Sequence, residues 1–290
     1  MSTAEIPLSA RVHLSHAVIE TIALDAGVDL LHIKGPALLP ELRRPDRGSS
    51  DVDVLVAPGH VERFERALAQ HGWERRSGYA SGSAFQHAAN WFHDNWAYVD
   101  VHARWPGPRA SVEEVFTAFA EGGHLQDIAH VPCRVPHRTA QILILVLHTA
   151  RSHGSRADLE LAWNGITDED RDAARALAER LQAGTAFAAG LGELDEVRGD
   201  RTADLWRYYS GQGGSRLGEW KARWRAADTL RERRDVLAGV VVVNRDHLRM
   251  ELGHVPSRRE LAARQWQRIA VLSREMSAAA RRRLRRGGPR

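Results

Sequence analysis

Apolar positions recur at helical spacing from Leu8 to Ala26, which predicts an opening helix. Val28 to Ile33 is short and apolar and predicts a strand, broken by Lys34-Gly35-Pro36; Ala37 to Leu42 then predicts a short helix. Arg43 to Ser50 is polar and rich in turn formers, hence a loop. Asp51-Val-Asp-Val-Leu-Val56 alternates and predicts a strand, and Pro58 to His71 predicts an amphipathic helix with proline at its start. Gly78 to Ser83 predicts a loop. Ala97 to Ala103 alternates again, with Tyr98, Asp100 and His102 on one face and Val99 and Val101 on the other. Val131 to Val135 predicts a last strand. From His137 onward the apolar period is helical, interrupted by turns near Gly165, Gly190 to Gly199 and Gly211 to Gly214. The pattern predicts an α/β core over residues 1–135 and a helical domain over 136–290. Trp163, Trp206, Trp220, Trp224 and Trp266 are expected in the helical core.

Composition changes this picture little. Of 290 residues, 43% are hydrophobic and 27% charged, ordinary for a chain that buries a core. The lone Cys133 excludes an internal disulfide and a multi-cysteine metal cage. No apolar run reaches the length of a membrane span, and Met1 to Ala10 lacks the features of a signal peptide, so a cytoplasmic protein is expected. Charge is more informative. Six of the 41 basic residues stand in Arg281–Arg290; without them the body holds 35 basic and 37 acidic residues. A nucleic-acid partner is therefore not favoured, although the tail offers a place for one. Only two of the basic residues, Lys34 and Lys221, are lysines.

Asp51 and Asp53 are two apart on a strand, so both carboxylates share one face and repel each other. A hard divalent cation, Mg²⁺ or Mn²⁺, would hold them together. Asp100 sits in the same kind of context between Val99 and Val101 and would complete a three-carboxylate cluster. Such a cluster points to metal-assisted phosphoryl or nucleotidyl transfer. His102, on the strand face of Asp100, could orient that acid, touch the acceptor or act as a base. His148 and His153 are five apart on a predicted helix, which does not suit a metal pair. They are expected to pack against the α/β half or to line its cleft. Arg151 and Asp158 are weaker candidates. Trp105 is a core tryptophan or a stacking surface.

Ile33-Lys34-Gly35, the short helix after it, and Arg47-Gly48-Ser49-Ser50-Asp51-Val52-Asp53 together resemble the nucleotidyltransferases of the DNA polymerase β-like superfamily. More narrowly, they resemble a bacterial family of uncharacterised nucleotidyltransferases. Val99-Asp100-Val101-His102-Ala103-Arg104-Trp105 is similar to that family's third acid followed by His and Trp, and Leu147 to His153 to its helical His pair. The resemblance spans roughly residues 28 to 160. It implies an α+β polymerase β-like core, a short mixed sheet with helices, followed by an all-helical C-terminal domain. It implies Mg²⁺ at Asp51, Asp53 and Asp100, with Asp100 also drawing a proton from the acceptor. It places the triphosphate of an NTP, such as ATP, against Lys34, Gly35, Ser49, Ser50 and Arg47. One departure is that Pro36 stands where the superfamily usually has a phosphate-holding hydroxyl. Lys34, Ser49 and Ser50 are the local replacements.

The implied reaction transfers a nucleoside monophosphate to a small-molecule, peptide or protein acceptor and releases pyrophosphate. The alternatives are a related phosphotransferase, or a nucleotide-binding regulatory protein with weak turnover.

Overall fold

The computed structural model describes residues 6–44, 48–79, 85–151, 156–211, 216–227, 229–243, 245–252 and 254–286. Helix α1 (Leu8–Asp25) buries Val12, Ile19, Ile22 and Ala23 along one face. It stops at Gly27, whose φ of +62° turns the chain into β1 (Leu30–His32). The expected short helix over Ala37 to Leu42 is instead two 3₁₀ turns, Gly35–Ala37 and Pro40–Leu42. Proline is the reason: Leu39, which precedes Pro40, is held extended and breaks the run.

Strand β2 (Asp51–Val56) is followed by a 3₁₀ turn at Pro58–His60 and helix α2 (Val61–Gln70). Strands β3 (Glu74–Ser77), β4 (Ala88–Phe92) and β5 (Tyr98–His102) complete a five-stranded sheet in the order β1-β2-β5-β4-β3. Pairing is antiparallel except between β2 and β5, which run parallel. The connection between those two strands carries α2, β3 and β4, consistent with the long crossover that parallel strands need.

Alternation sorts the sheet into two faces. Val52, Val54, Val56, Val99 and Val101 point toward α1 and α2 and share a core with Ile19, Ile22, Phe64 and Leu68. Leu31, Ile33 and Leu55 face the other way and join a core built from the later helices. After β5 come α3 (Val112–Ala120), capped by the Ser111 hydroxyl accepting from the Glu114 amide, and a separate hairpin, β6 (His124–Ile128) with β7 (Val131–Val135). The expected last strand is thus present, but in this second sheet.

Helix α4 (Arg138–Thr149) runs through the second core with Ile142, Leu143, Ile144, Val146 and Leu147 fully buried. A helical turn (Arg156–Leu159) and a π-helical turn (Glu160–Asn164) lead to α5 (Asp168–Arg180), α6 (Gly184–Leu191) and α7 (Ala203–Tyr209). Gly190 is not in a turn but within α6, where a Cβ would stand 2.2 Å from the Val146 carbonyl; the two helices touch because this residue is glycine. Helices α8 (Arg216–Ala226), α9 (Leu230–Val241), α10 (Arg245–Leu252) and α11 (Arg258–Arg286) finish the described chain.

Trp163 and Trp206 are core residues, as expected, and Trp220 is half-buried. Trp224 and Trp266 correct the expectation, being 39% and 71% exposed: both lie on late, mostly polar helices and fall on their uncovered faces. No described helix is long and apolar enough to cross a membrane.

Candidate active site

The face of the sheet that carries Leu55 also carries its acids. In the parallel ladder Asp53 is the register partner of Asp100, and Asp51 that of Tyr98. Neighbouring strands extend the Asp53–Asp100 rung: Asn90 of β4 pairs with Asp100, and Ser77 of β3 pairs with Asn90. The side chains form a chain of hydrogen bonds along it. The Ser77 hydroxyl donates to Asn90 Oδ1, and Asn90 Nδ2 donates to Asp100 Oδ1. A polar row therefore runs across four strands of the sheet.

Asp53 is 3% exposed and takes two bonds on one oxygen: Lys34 Nζ at 2.7 Å and His102 Nε2 at 2.8 Å. Burial would raise its pKa, but the Lys34 ammonium and the His102 hydrogen bond overcome this and hold it well below the usual carboxylate range. Burial lowers His102 to about 4, so the ring is neutral and donates from Nε2. The sequence places His102 beside Asp100; the structure instead bonds it to Asp53. Face parity gave the right side of the strand, and the cross-strand diagonal decides which acid is met.

Asp100 is pushed up to about 7 by burial and then by the charge of Asp53, against the Asn90 bond. Asp51 is half-buried and raised by burial and by Asp53. Its carboxylate accepts from Ser50 Oγ at 3.2 Å and from Ser49 Oγ at 3.4 Å, while Ser49 Oγ also donates to the Asp51 carbonyl at 2.8 Å. Gly35 packs against this turn. Its φ is +59°, and a Cβ there would stand 2.8 Å from Ser49 Cβ. Lys34, Gly35, Ser49, Ser50, Asp51 and Asp53 are thus one contiguous structure. Arg47 lies outside the described residues, as does His153.

Above the acids stands a layer the sequence only partly revealed. Arg151, at the end of α4, donates to His87 Nε2 and lies 4.7 Å from the Trp105 ring centroid, with Lys34 Nζ over the same ring at 5.5 Å. Burial lowers Arg151 to about 10, against the attraction of Asp53 and Asp100. His148 is half-buried and lowered to about 3 by burial, then by Lys34 and Arg151, so it lines this layer as a neutral ring. Trp105 is 2% exposed and is both core and a platform for cations. Asp158 is half-buried on the turn after α4. Asn90 and His87 were not foreseen, because only the register of β4 brings them here. The ligand atoms of Asp53, Asp100 and His102 all fall within 4.8 Å of one another, the spacing of a cation site.

A family model described as uncharacterised nucleotidyltransferase matches residues 17–197, more than half of the chain. The chain belongs to this family. The matched span of this nucleotidyltransferase covers the whole acid-bearing sheet and the helices that roof it. No curated protein matches the sequence. Among solved structures it is similar to the antibiotic-resistance factor ANT(2'')-Ia in solution. That match has 16% identity and a TM-score of 0.43, over 61% of this chain and 95% of that one. It is also similar to the lincosamide antibiotic adenylyltransferase LnuA with lincomycin bound (13% identity, TM-score 0.34, 56% of this chain and 92% of that one). A third is an antigenic nucleotidyltransferase-like protein from Paracoccidioides brasiliensis (12% identity, TM-score 0.36, 62% and 93%).

Proposed function

We propose that this nucleotidyltransferase moves a nucleoside monophosphate from an NTP to a hydroxyl-bearing acceptor, releasing pyrophosphate, with a divalent cation at Asp53 and Asp100. The observation that carries the proposal is the Asp53–Asp100 rung with Lys34 bonded to Asp53. The donors fit Mg²⁺ or Mn²⁺: two carboxylates meet on one rung, a third at Asp51 stands beside them, and each of Asp51 and Asp100 is pushed up by the charge of Asp53. A second positive charge beside Lys34 would relieve that repulsion. Bound there, the cation supplies charge neutralisation for phosphate oxygens.

The remaining chemistry belongs to side chains. Lys34 and Arg151 both present positive charge beside Trp105, which suits the triphosphate. Ser49 and Ser50 fix Asp51, and Gly35 lets the loop that carries them close against β1. His102 holds Asp53 in a single orientation. Asp100, on the rung beside Asp53, would be placed to accept the proton of an acceptor hydroxyl. The acceptor is a small molecule, peptide or protein; the slightly acidic body disfavours nucleic acid.

The test is transfer of label from α-labelled ATP, GTP, CTP or UTP to cell-extract molecules, with and without Mg²⁺. The double variant Asp51→Asn with Asp53→Asn should abolish it. Undiminished labelling by that variant would remove these acids from the reaction. Tight NTP binding without pyrophosphate release by the native protein would instead identify a binding protein.

A further inference from the structure

On the opposite face of the sheet from the acids lies a second set of polar side chains, buried between α1, β1 and β7. His32 is the register partner of Val54, so it points toward α1 and away from Asp53. Its Nε2 is 3.0 Å from Glu20 Oε2, and its Nδ1 is 2.8 Å from His16 Nδ1. Cys133 of β7 stands against the same group. The ligand atoms of Glu20, His32 and Cys133 lie within 4.8 Å of one another. All four residues are nearly sealed: Cys133, His16 and His32 are 0% exposed and Glu20 is 7%.

Hydrogen bonding alone leaves this group poorly served. The Cys133 thiol has one long contact, 3.9 Å to the His16 carbonyl. His16 Nε2 is buried with no partner among the described residues. Glu20 is pushed up to about 7 by burial, with Arg134 pulling the other way, and Cys133 up to about 12 by burial and then by Glu20 and Asp127. An apolar interior would be better filled by carbon than by four groups in this state.

We propose that Glu20, His32 and Cys133 bind a zinc ion that ties the β6–β7 hairpin to α1 and β1, with His16 holding the His32 ring in place. Carboxylate, imidazole and thiolate are all donors that zinc accepts, and the thiolate and imidazole are what set this group apart from an Mg²⁺ site. Zinc with one thiolate, one carboxylate and a neutral imidazole has no net charge, so the buried site carries none either. Tetrahedral zinc separates its ligand atoms by roughly 3.4–3.8 Å, so closing the present 4.8 Å spread takes only a small side-chain shift. Binding expels the Cys133 proton, and the Glu20 proton where it is present, to solvent. His32 ligates through Nε2 and donates from Nδ1 to His16 Nδ1, the arrangement in which a second residue fixes the tautomer of a metal-bound histidine.

The test counts metals in the full chain, expressed with added zinc and purified without chelator. About one zinc per chain is expected; no zinc overturns the proposal. Asp53→Asn with Asp100→Asn should keep the zinc, whereas Cys133→Ala should lose it by about tenfold or more. Zinc that leaves with the acids, or stays without Cys133, overturns the proposal. Should Cys133→Ala fail to fold, the native chain exchanged into cobalt answers instead. Cys133 is the single cysteine of the sequence, so a thiolate-to-cobalt charge-transfer band in the near ultraviolet can arise only from it. A cobalt-loaded protein without that band overturns the proposal.

Discussion

Asp53 and Asp100 share one rung of the parallel β2–β5 ladder, yet one is held ionised and the other stands at the edge of protonation near pH 7. Lys34 and His102 serve Asp53 directly, while Asp100 has a neutral amide, Asn90, and bears the repulsion of its neighbour. Two carboxyls with separated proton affinities are what a metal ligand and a proton acceptor require.

That separation has a consequence for stability. The folded pKa of Asp100 is raised, so the folded chain holds a proton that the unfolded chain releases. The contribution is fully present below the unfolded value near 4 and is lost as pH rises through about 7. In EDTA, native protein should therefore lose thermal stability between these limits. Asp100→Asn should flatten that part of the profile, leaving the similar contribution of Glu20, also raised to about 7. Melting curves across pH check this, and an identical slope in both proteins contradicts it.

Lys34→Arg keeps the charge but replaces a compact ammonium 2.7 Å from Asp53 with a planar fork over Trp105. Nucleotide turnover should fall about 10- to 100-fold, equivalent to the roughly 1.5–3 kcal/mol of a hydrogen bond to a charged group. Initial rates at varied NTP measure it. Full activity would reduce Lys34 to an ordinary cation.

Gly35→Ala places a methyl group 2.8 Å from Ser49 Cβ at a positive φ. The turn at Ser49 to Asp51 must move, at a cost of about 1–3 kcal/mol in stability and with loss of activity. Gly190→Ala should also destabilise, by pushing α6 off Val146, at a contact that involves neither Ser49 nor the acids. Denaturant melts together with nucleotide KM separate the two: only Gly35→Ala should change KM in the folded fraction.

Arg151→Lys removes the bond to His87 and the flat face over Trp105 while retaining charge. The nucleotide KM should rise about tenfold or more. Isothermal titration with a non-hydrolysable NTP gives the Kd without turnover, which should weaken likewise, and unchanged affinity would confine Arg151 to packing.

The alternation of Asp51 to Val56 and of Tyr98 to His102 made both acid-bearing strands and their faces legible in the sequence, because each sets its acids on one face and its valines on the other. Strand β3 was not legible: Glu74, Arg75 and Arg76 offer no apolar alternation, and the segment is a strand because β4 pairs with it. Helix α3 was not foreseen; the structure shows it capped by the Ser111 hydroxyl, which accepts from the Glu114 amide. At the site, residue types and spacing identified Lys34, Gly35 and the three acids. They did not identify Asn90 or His87, whose roles depend on cross-strand register. They also gave no sign that Cys133 would meet Glu20 and His32, since those residues are far apart in the chain and share no local period.

The position of β5 also sets the order of assembly. It is the last strand of the large sheet in sequence, yet it lies at its centre, between β2 and β4. A nascent chain can pair β1 with β2 and β3 with β4, but these are two separate ribbons until Tyr98 to His102 has been made and inserted. That insertion delivers Asp100 to Asp53 and His102 to the same carboxylate in one event. Asp100 and His102 therefore reach Asp53 only in the step that closes the sheet, whereas the Lys34–Asp53 half of the site is encoded wholly upstream of it.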